Sequence, residues 1–255
     1  EDGLAANYPN IKTYKAFQTS NRNNTARFSI GPNGFHAAIK QDDATIYIDP
    51  YSSIDNQNYI VYYTADHIDS DLTNKIICGT QDENNHTPST QKWGRRNPDG
   101  KMEMRTYRLA LACTGEWGEV RGTKEKALAD MVAFVERANL LFEAELAIRT
   151  ILIEKNDLLI NLDGKNDLYT NSTVGADILT QNTNIISGKV GFSSFDIGHV
   201  FSICHDVGGI AGGTACTQFK GAGVTCHNSS GISNGIVLVF NHEVGHQLTA
   251  SHTFN

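Results

Sequence analysis

Apolar and polar positions alternate through the first part of the chain. Ala26-Arg27-Phe28-Ser29-Ile30 and Gly34-Phe35-His36-Ala37-Ala38-Ile39 flank Gly31-Pro32-Asn33. Two alternating runs on either side of Gly, Pro and Asn predict a hairpin. Thr45-Ile46-Tyr47-Ile48-Asp49 and Tyr59-Ile60-Val61-Tyr62-Tyr63 read as further strands from alternation and β-branched content. Residues 1–95 therefore read as a β-rich domain. From Gln81 to Lys101 the chain turns polar, with Pro88, Gly94, Pro98 and Gly100, the composition of an exposed linker. Arg95-Arg96 inside it suits a processing site or, equally well, a solvated charge pair. The expected division is a β-rich domain over 1–95, a linker with the processing region over 96–104, and a second domain over 105–255.

Beyond the linker the periodicity becomes that of an α/β pattern. A strand at Tyr107–Cys113 precedes a helix near Lys124–Leu141, with Ala127, Met131, Phe134, Val135 and Ala138 at helical spacing. Glu145–Leu152 and Leu158–Leu162 read as strands, followed by a polar connection and then a strand carrying His199. Ile236–Phe240 is an apolar, β-branched run that a strand would also suit, with Ser233 and Asn234 placed to cap a helix. The histidines just beyond this run decide for the helix.

His242-Glu243-Val244-Gly245-His246 puts two histidines four residues apart. Four helical residues rotate about 400°, so both imidazoles leave one face. Two neutral nitrogens then reach one zinc ion at about 2.0–2.1 Å. Glu243, about 100° from His242 around the helix, falls beside the metal rather than on it. There it serves as the general base, taking a proton from water and returning it to a leaving amine. His252, six residues after His246, is the third candidate ligand. It joins the other two only if the chain reverses after Leu248.

The block resembles the metzincin signature H-E-x-x-H-x-x-G-x-x-H. Within metzincins the chain looks like the reprolysin (adamalysin) family, above all its bacterial members, which carry a propeptide. Met104–Ala112 with Thr114-Gly115-Glu116-Trp117 looks like the first strand of the mature enzyme, and Phe195–Ser202 like the strand leading to the cleft. Gly208–Cys216 is similar to the edge strand and its following cysteine. The resemblance covers roughly the second half of the chain. It implies an α+β or α/β fold: a β-rich prodomain, then a metzincin-type catalytic domain of mixed sheet and active-site helix. It further implies a secreted zinc endopeptidase whose substrate adds as an antiparallel strand along Gly209–Ala215, with Gly209, Ile210, Ala211 and Gly212 as the binding edge.

Two departures bear on these expectations. The family's turn glycine is Thr249 here, and a β-branched residue with positive φ costs on the order of 1–3 kcal/mol. The metzincin methionine turn lies downstream of the third histidine, whereas Met102, Met104 and Met131 all lie upstream. The expectation is a catalytic domain whose C-terminal part is missing.

Cys78-Gly79-Thr80 resembles the cysteine-switch motif of adamalysin propeptides. A thiolate is a zinc ligand at about 2.3 Å, so Cys78 could fill the fourth position and keep the enzyme latent. The alternative is an ordinary disulfide or a buried small hydrophobe. The five cysteines (78, 113, 204, 216, 226) allow two disulfides and one free thiol in an oxidising compartment, without fixing the pairing. His36, His67, His86, His199, His205 and His227 lack ligand spacing.

Composition narrows the function classes. Net charge is −7, which disfavours nucleic acid as a partner, and no apolar run is long enough for a membrane span. A G-x-S-x-G motif is absent, so a serine hydrolase has no support. A monomer acting on peptide or protein substrates is expected. Two rivals remain. One is a zinc-binding pseudoprotease acting as an interaction module. The other is a thermolysin-like peptidase whose third ligand is a glutamate elsewhere.

Overall fold

The computed structural model describes residues 2–66, 78–81, 103–227, 232 and 234–252. His67, His86, Arg95-Arg96, Met102 and Ser233 lie outside the described residues.

The N-terminal strands are β1 (Lys12–Phe17), β2 (Thr25–Gly31), β3 (Gly34–Gln41), β4 (Ala44–Ser52) and β5 (Asp55–Tyr63). They form an antiparallel meander in sequence order. The hairpin expected around Gly31-Pro32-Asn33 joins β2 to β3, pairing Ile30 with Phe35. A short helix, α1 (Asp2–Asn7), precedes the meander and sends Leu4 into the core of the second unit.

That unit is a three-layer α/β/α arrangement. Its sheet comprises β6 (Arg105–Cys113), β7 (Ile148–Leu152), β8 (Ile197–Ser202), β9 (Gly209–Ala211) and β10 (Gly223–Cys226), in the order β7-β6-β8-β10-β9. All neighbours are parallel except β9, which runs antiparallel to β10 at the edge. The short α2 (Gly115–Glu119) follows β6. Helices α3 (Lys124–Leu146) and α5 (Asn234–Gln247) cover one face of the sheet through Leu109, Leu111, Ile197 and Phe201. Helix α4 (Gly175–Val190) covers the other through Ala110, Ala112, Val200 and Val224. Alternation along each strand sends successive side chains to these two layers.

Several expected boundaries move. Glu145 and Leu146 belong to α3, which ends where Ala147 adopts φ 52°, so β7 begins only at Ile148. Leu158–Leu162 is not a strand. A 3-10 turn over Asn156–Leu159 aims the Asn156 amide at β6, where it exchanges hydrogen bonds of 2.9 and 3.0 Å with the Leu111 backbone. A side-chain amide thus satisfies the ladder positions that a strand would have taken. The polar connection after it contains α4. Buried Ile178, Ile186 and Val190 face the sheet, but the fully buried Asn182 interrupts the stripe, bonding Gly221 O at 2.7 Å.

Candidate metal and catalytic site

Helix α5 carries His242 and His246 at its C-terminal end, and the chain reverses directly after Leu248. Thr249 takes φ 72°. Its N–H donates to His246 O at 2.8 Å, and Ala250 N–H donates to Gly245 O at 2.9 Å. These bonds close the helix in the left-handed manner that glycine favours, with threonine in its place. The turn thus falls at Thr249 itself, and His252 arrives at the other two histidines.

The three Nε2 atoms converge. His242 and His246 are 3.0 Å apart, His246 and His252 3.1 Å, His242 and His252 3.2 Å. A tetrahedral zinc at about 2.0–2.1 Å from each would hold them about 3.3 Å apart. His246 Nδ1 lies 2.8 Å from Ala250 O, so its N–H is donated there and Nε2 is left as the acceptor a metal needs.

Cys78 joins this cluster. Its Sγ is 3.7 Å from His246 Nε2, near the roughly 3.6 Å expected between a thiolate and an imidazole on one tetrahedral zinc. All four ligand atoms lie within 4.8 Å of one another. The donor set therefore fits zinc, with three imidazoles and one sulfur completing four-coordination. Burial pushes the Cys78 thiol above its ordinary pKa, and the neighbouring Glu243 carboxylate adds to the effect. A cation among the imidazoles would reverse that balance and favour the thiolate.

Glu243 points inward from α5 and is 1% exposed. Its Oε2 is 3.2 Å from Thr80 Oγ1, while its Oε1 is buried with no hydrogen-bond partner among the described residues. Burial pushes its carboxyl up to about 7. Gly209 makes room for it: a Cβ there would sit 2.6 Å from Glu243 Cγ.

Strand β9 comprises Gly209, Ile210 and Ala211 of the expected edge. Just past it, Gly212 N–H and Gly213 N–H both donate to Ala222 O. The segment 78–80 lies along this edge. Cys78 bridges Gly209 in parallel sense, and Gly79 N–H donates to Gly209 O at 2.8 Å. Thr80 Oγ1 accepts from Ala211 N–H at 2.8 Å.

His199 and Gln247 form a support that spacing alone does not reveal. Both are fully buried. His199 Nδ1 is 2.9 Å from Gln247 Oε1, and His199 Nε2 is 2.8 Å from Thr225 Oγ1. Gln247 Nε2 donates to Gly198 O at 2.8 Å. One side chain next to His246 thus ties α5 to β8, and through His199 to β10. A Cβ on Gly223 would collide with Gln247 Oε1. His205 is exposed, His227 accepts from Trp117 Nε1 at 2.7 Å, and His36 pairs with Asp49. Cys204 and Cys226 form a disulfide, while Cys78, Cys113 and Cys216 are free, so there is one disulfide rather than two.

A helix with two histidines one turn apart, a third after a tight turn and a buried glutamate between them is a metallopeptidase arrangement. Residues 128–253 match the family described as Metallo-peptidase family M12B Reprolysin-like, which is zinc-dependent. No curated protein matches the chain. The match supports a reprolysin-like metalloprotease, and the mixed five-stranded sheet with its helices is compatible with such a domain.

Proposed function

We propose that the protein is a latent zinc endopeptidase of the reprolysin-like metzincin type, bacterial in kind, with a prodomain over 1–95, a processing region over 96–104 and a catalytic domain from 105. The convergence of His242, His246 and His252 Nε2 atoms to within 3.2 Å carries this reading. Zinc held by them supplies Lewis acidity, polarising a scissile carbonyl and making water acidic near neutral pH. Glu243 is the base. Its buried position beside the ligands, with Oε1 unpartnered, suits accepting a proton from the attacking water and passing it to the leaving nitrogen. Extended substrate takes the edge of β9, antiparallel to it, where Gly209 lets backbone approach.

Latency rests on Cys78 at the fourth ligand position and on segment 78–80 along the substrate edge. Its parallel sense is opposite to the one assigned to substrate, so it blocks the cleft without presenting a bond in register. Cutting between residues 81 and 103 severs its covalent link to the catalytic domain. The Cys204–Cys226 disulfide favours an oxidising compartment, in keeping with secretion. Among the described residues no helix is long and apolar enough to cross a membrane. The pseudoprotease alternative drew on Thr249, and His252 reaches its companions despite it. Hydrolysis of a peptide library by linker-cut protein freed of its N-terminal fragment, abolished in Glu243→Ala, would establish the activity; no hydrolysis from that protein, folded and zinc-loaded, would refute it.

A further inference from the structure

The N-terminal sheet meets the second unit with its polar face. Lys15, Arg27, His36, Lys40 and Asp49 point toward α3, while Tyr14, Phe28, Phe35 and Tyr59 stack across the opposite face. The matching surface is one stripe of α3: Asp130, Glu136, Arg137, Glu143 and Glu145. Arg27 reaches Glu136 at 2.6 Å and Glu143 at 2.5 Å, and both guanidinium and carboxylates are largely withdrawn from water. Lys15 meets Glu143 at 2.5 Å, and Lys40 meets Glu145 at 2.6 Å. Asp49 answers Arg137, and Asn33 donates to Asp130 at 2.6 Å.

One detail assigns a purpose to this pairing. Lys15 and Arg27 are direct cross-strand partners in β1 and β2. Like charges opposite each other destabilise a sheet. Glu143 sits between them with one carboxylate oxygen on each, so α3 neutralises the charge arrangement that the sheet carries. Conversely, α3 without the sheet keeps Glu136 and Glu143 on a face where, among the described residues, Arg149 also reaches Glu143. The interface combines these matched ion pairs with two apolar contacts, Ala38 and Tyr47 on Leu140, and Leu4, Tyr8 and Ile11 on the core of the second unit, the mixed character of an interface between domains.

We infer that the N-terminal sheet is a charge-matched docking partner of α3 in its own right. It stays bound, without covalent linkage, after the chain is cut between 81 and 103, and its hold weakens when those pairs are broken. Latency then has two independent holds, the thiol at the ligands and the sheet on α3. The inference rests on the latent-peptidase reading for its biological sense, but its test does not read hydrolysis.

The full chain, cut between 81 and 103, is passed over a sizing column. The wild type is expected to elute as one complex at about 0.1 M salt and to separate increasingly toward about 1 M. Arg27→Glu should weaken the complex by roughly 100-fold or more, because it leaves two carboxylates that are largely withdrawn from water facing a third. Lys15→Glu, at an exposed position, should weaken it less and guards against misfolding of the first variant. Cys78→Ala should co-elute as the wild type does. Separation of the cut wild type at low salt would overturn the inference, as would co-elution of both charge-reversed variants at wild-type strength. A cut chain that co-elutes at low salt, yet hydrolyses nothing once the fragment carrying Cys78 has been separated from a folded, zinc-loaded remainder, would leave docking intact and refute the peptidase reading alone.

Discussion

Cys78 Sγ stands 3.7 Å from His246 Nε2, although 168 positions separate the two residues. The contact exists because segment 78–80 follows β9 and Gly79 N–H bonds Gly209 O. Cys78→Ala removes the sulfur and leaves the backbone pairing. Basal hydrolysis by the uncut chain should rise at least about tenfold, equivalent to about 1.4 kcal/mol. Progress curves of the two uncut proteins at equal zinc loading check this; equal rates would remove the thiol from the account of latency.

Thr249 holds φ 72°, which a β-branched residue adopts at a cost of roughly 1–3 kcal/mol. Glycine relieves that strain but gives back about 0.5–1 kcal/mol of unfolded-chain entropy. Thr249→Gly should therefore stabilise the protein by about 1 kcal/mol and raise its melting temperature. Thermal unfolding of the zinc-free form reads the backbone effect alone. A lower melting temperature would mean that the threonine side chain contributes a contact outweighing the strain.

His252 distinguishes this site from one completed by a distant glutamate. With the three Nε2 atoms mutually within 3.2 Å, His252→Ala should lower zinc affinity by two or more orders of magnitude. Equilibrium dialysis of the linker-cut protein against a zinc buffer measures this. Undiminished affinity would make His252 incidental.

Burial holds His199 at a pKa of about 4, against about 6.5 in an unfolded chain. Between those values the unfolded state binds the extra proton. Stability is thus fully present above about pH 6.5, falls as the pH drops toward 4, and levels off below. The loss is about 3 kcal/mol at most. His227 is pushed down by burial as well and adds to the same slope. Urea midpoints of the zinc-free protein across this range should fall with acidification, and more gently in His199→Asn, which cannot gain the charge. Parallel slopes would place the acid sensitivity elsewhere.

What could be read in the sequence was what periodicity and spacing encode locally. Alternation located β2, β3, β4 and β5, and the four-residue histidine spacing placed α5 and the face that carries His242 and His246. Helix α4 escaped because its buried face includes Asn182, whose partners Gly221 and Tyr169 are distant in sequence. The early end of β9 follows from Ala222, whose N–H bonds Phe219 O instead of returning a bond to Gly212, again a contact set by a separate segment. The His199–Gln247 support had no signal of its own: a buried histidine beside a buried glutamine becomes visible only when β8 and α5 are packed together. In the same way Lys15 and Arg27 look like solvated strand charges until α3 brings Glu143 between them.

The central claim is that this site hydrolyses peptides through Glu243 with zinc at the three histidines. The most direct measurement compares the linker-cut protein, freed of its N-terminal fragment, with its Glu243→Ala variant for zinc content and peptide cleavage together. The account predicts equal zinc in both and a rate lower by about 10²–10⁴-fold in the variant. Equal cleavage by the two proteins, or none by a folded wild type carrying its zinc, would contradict it.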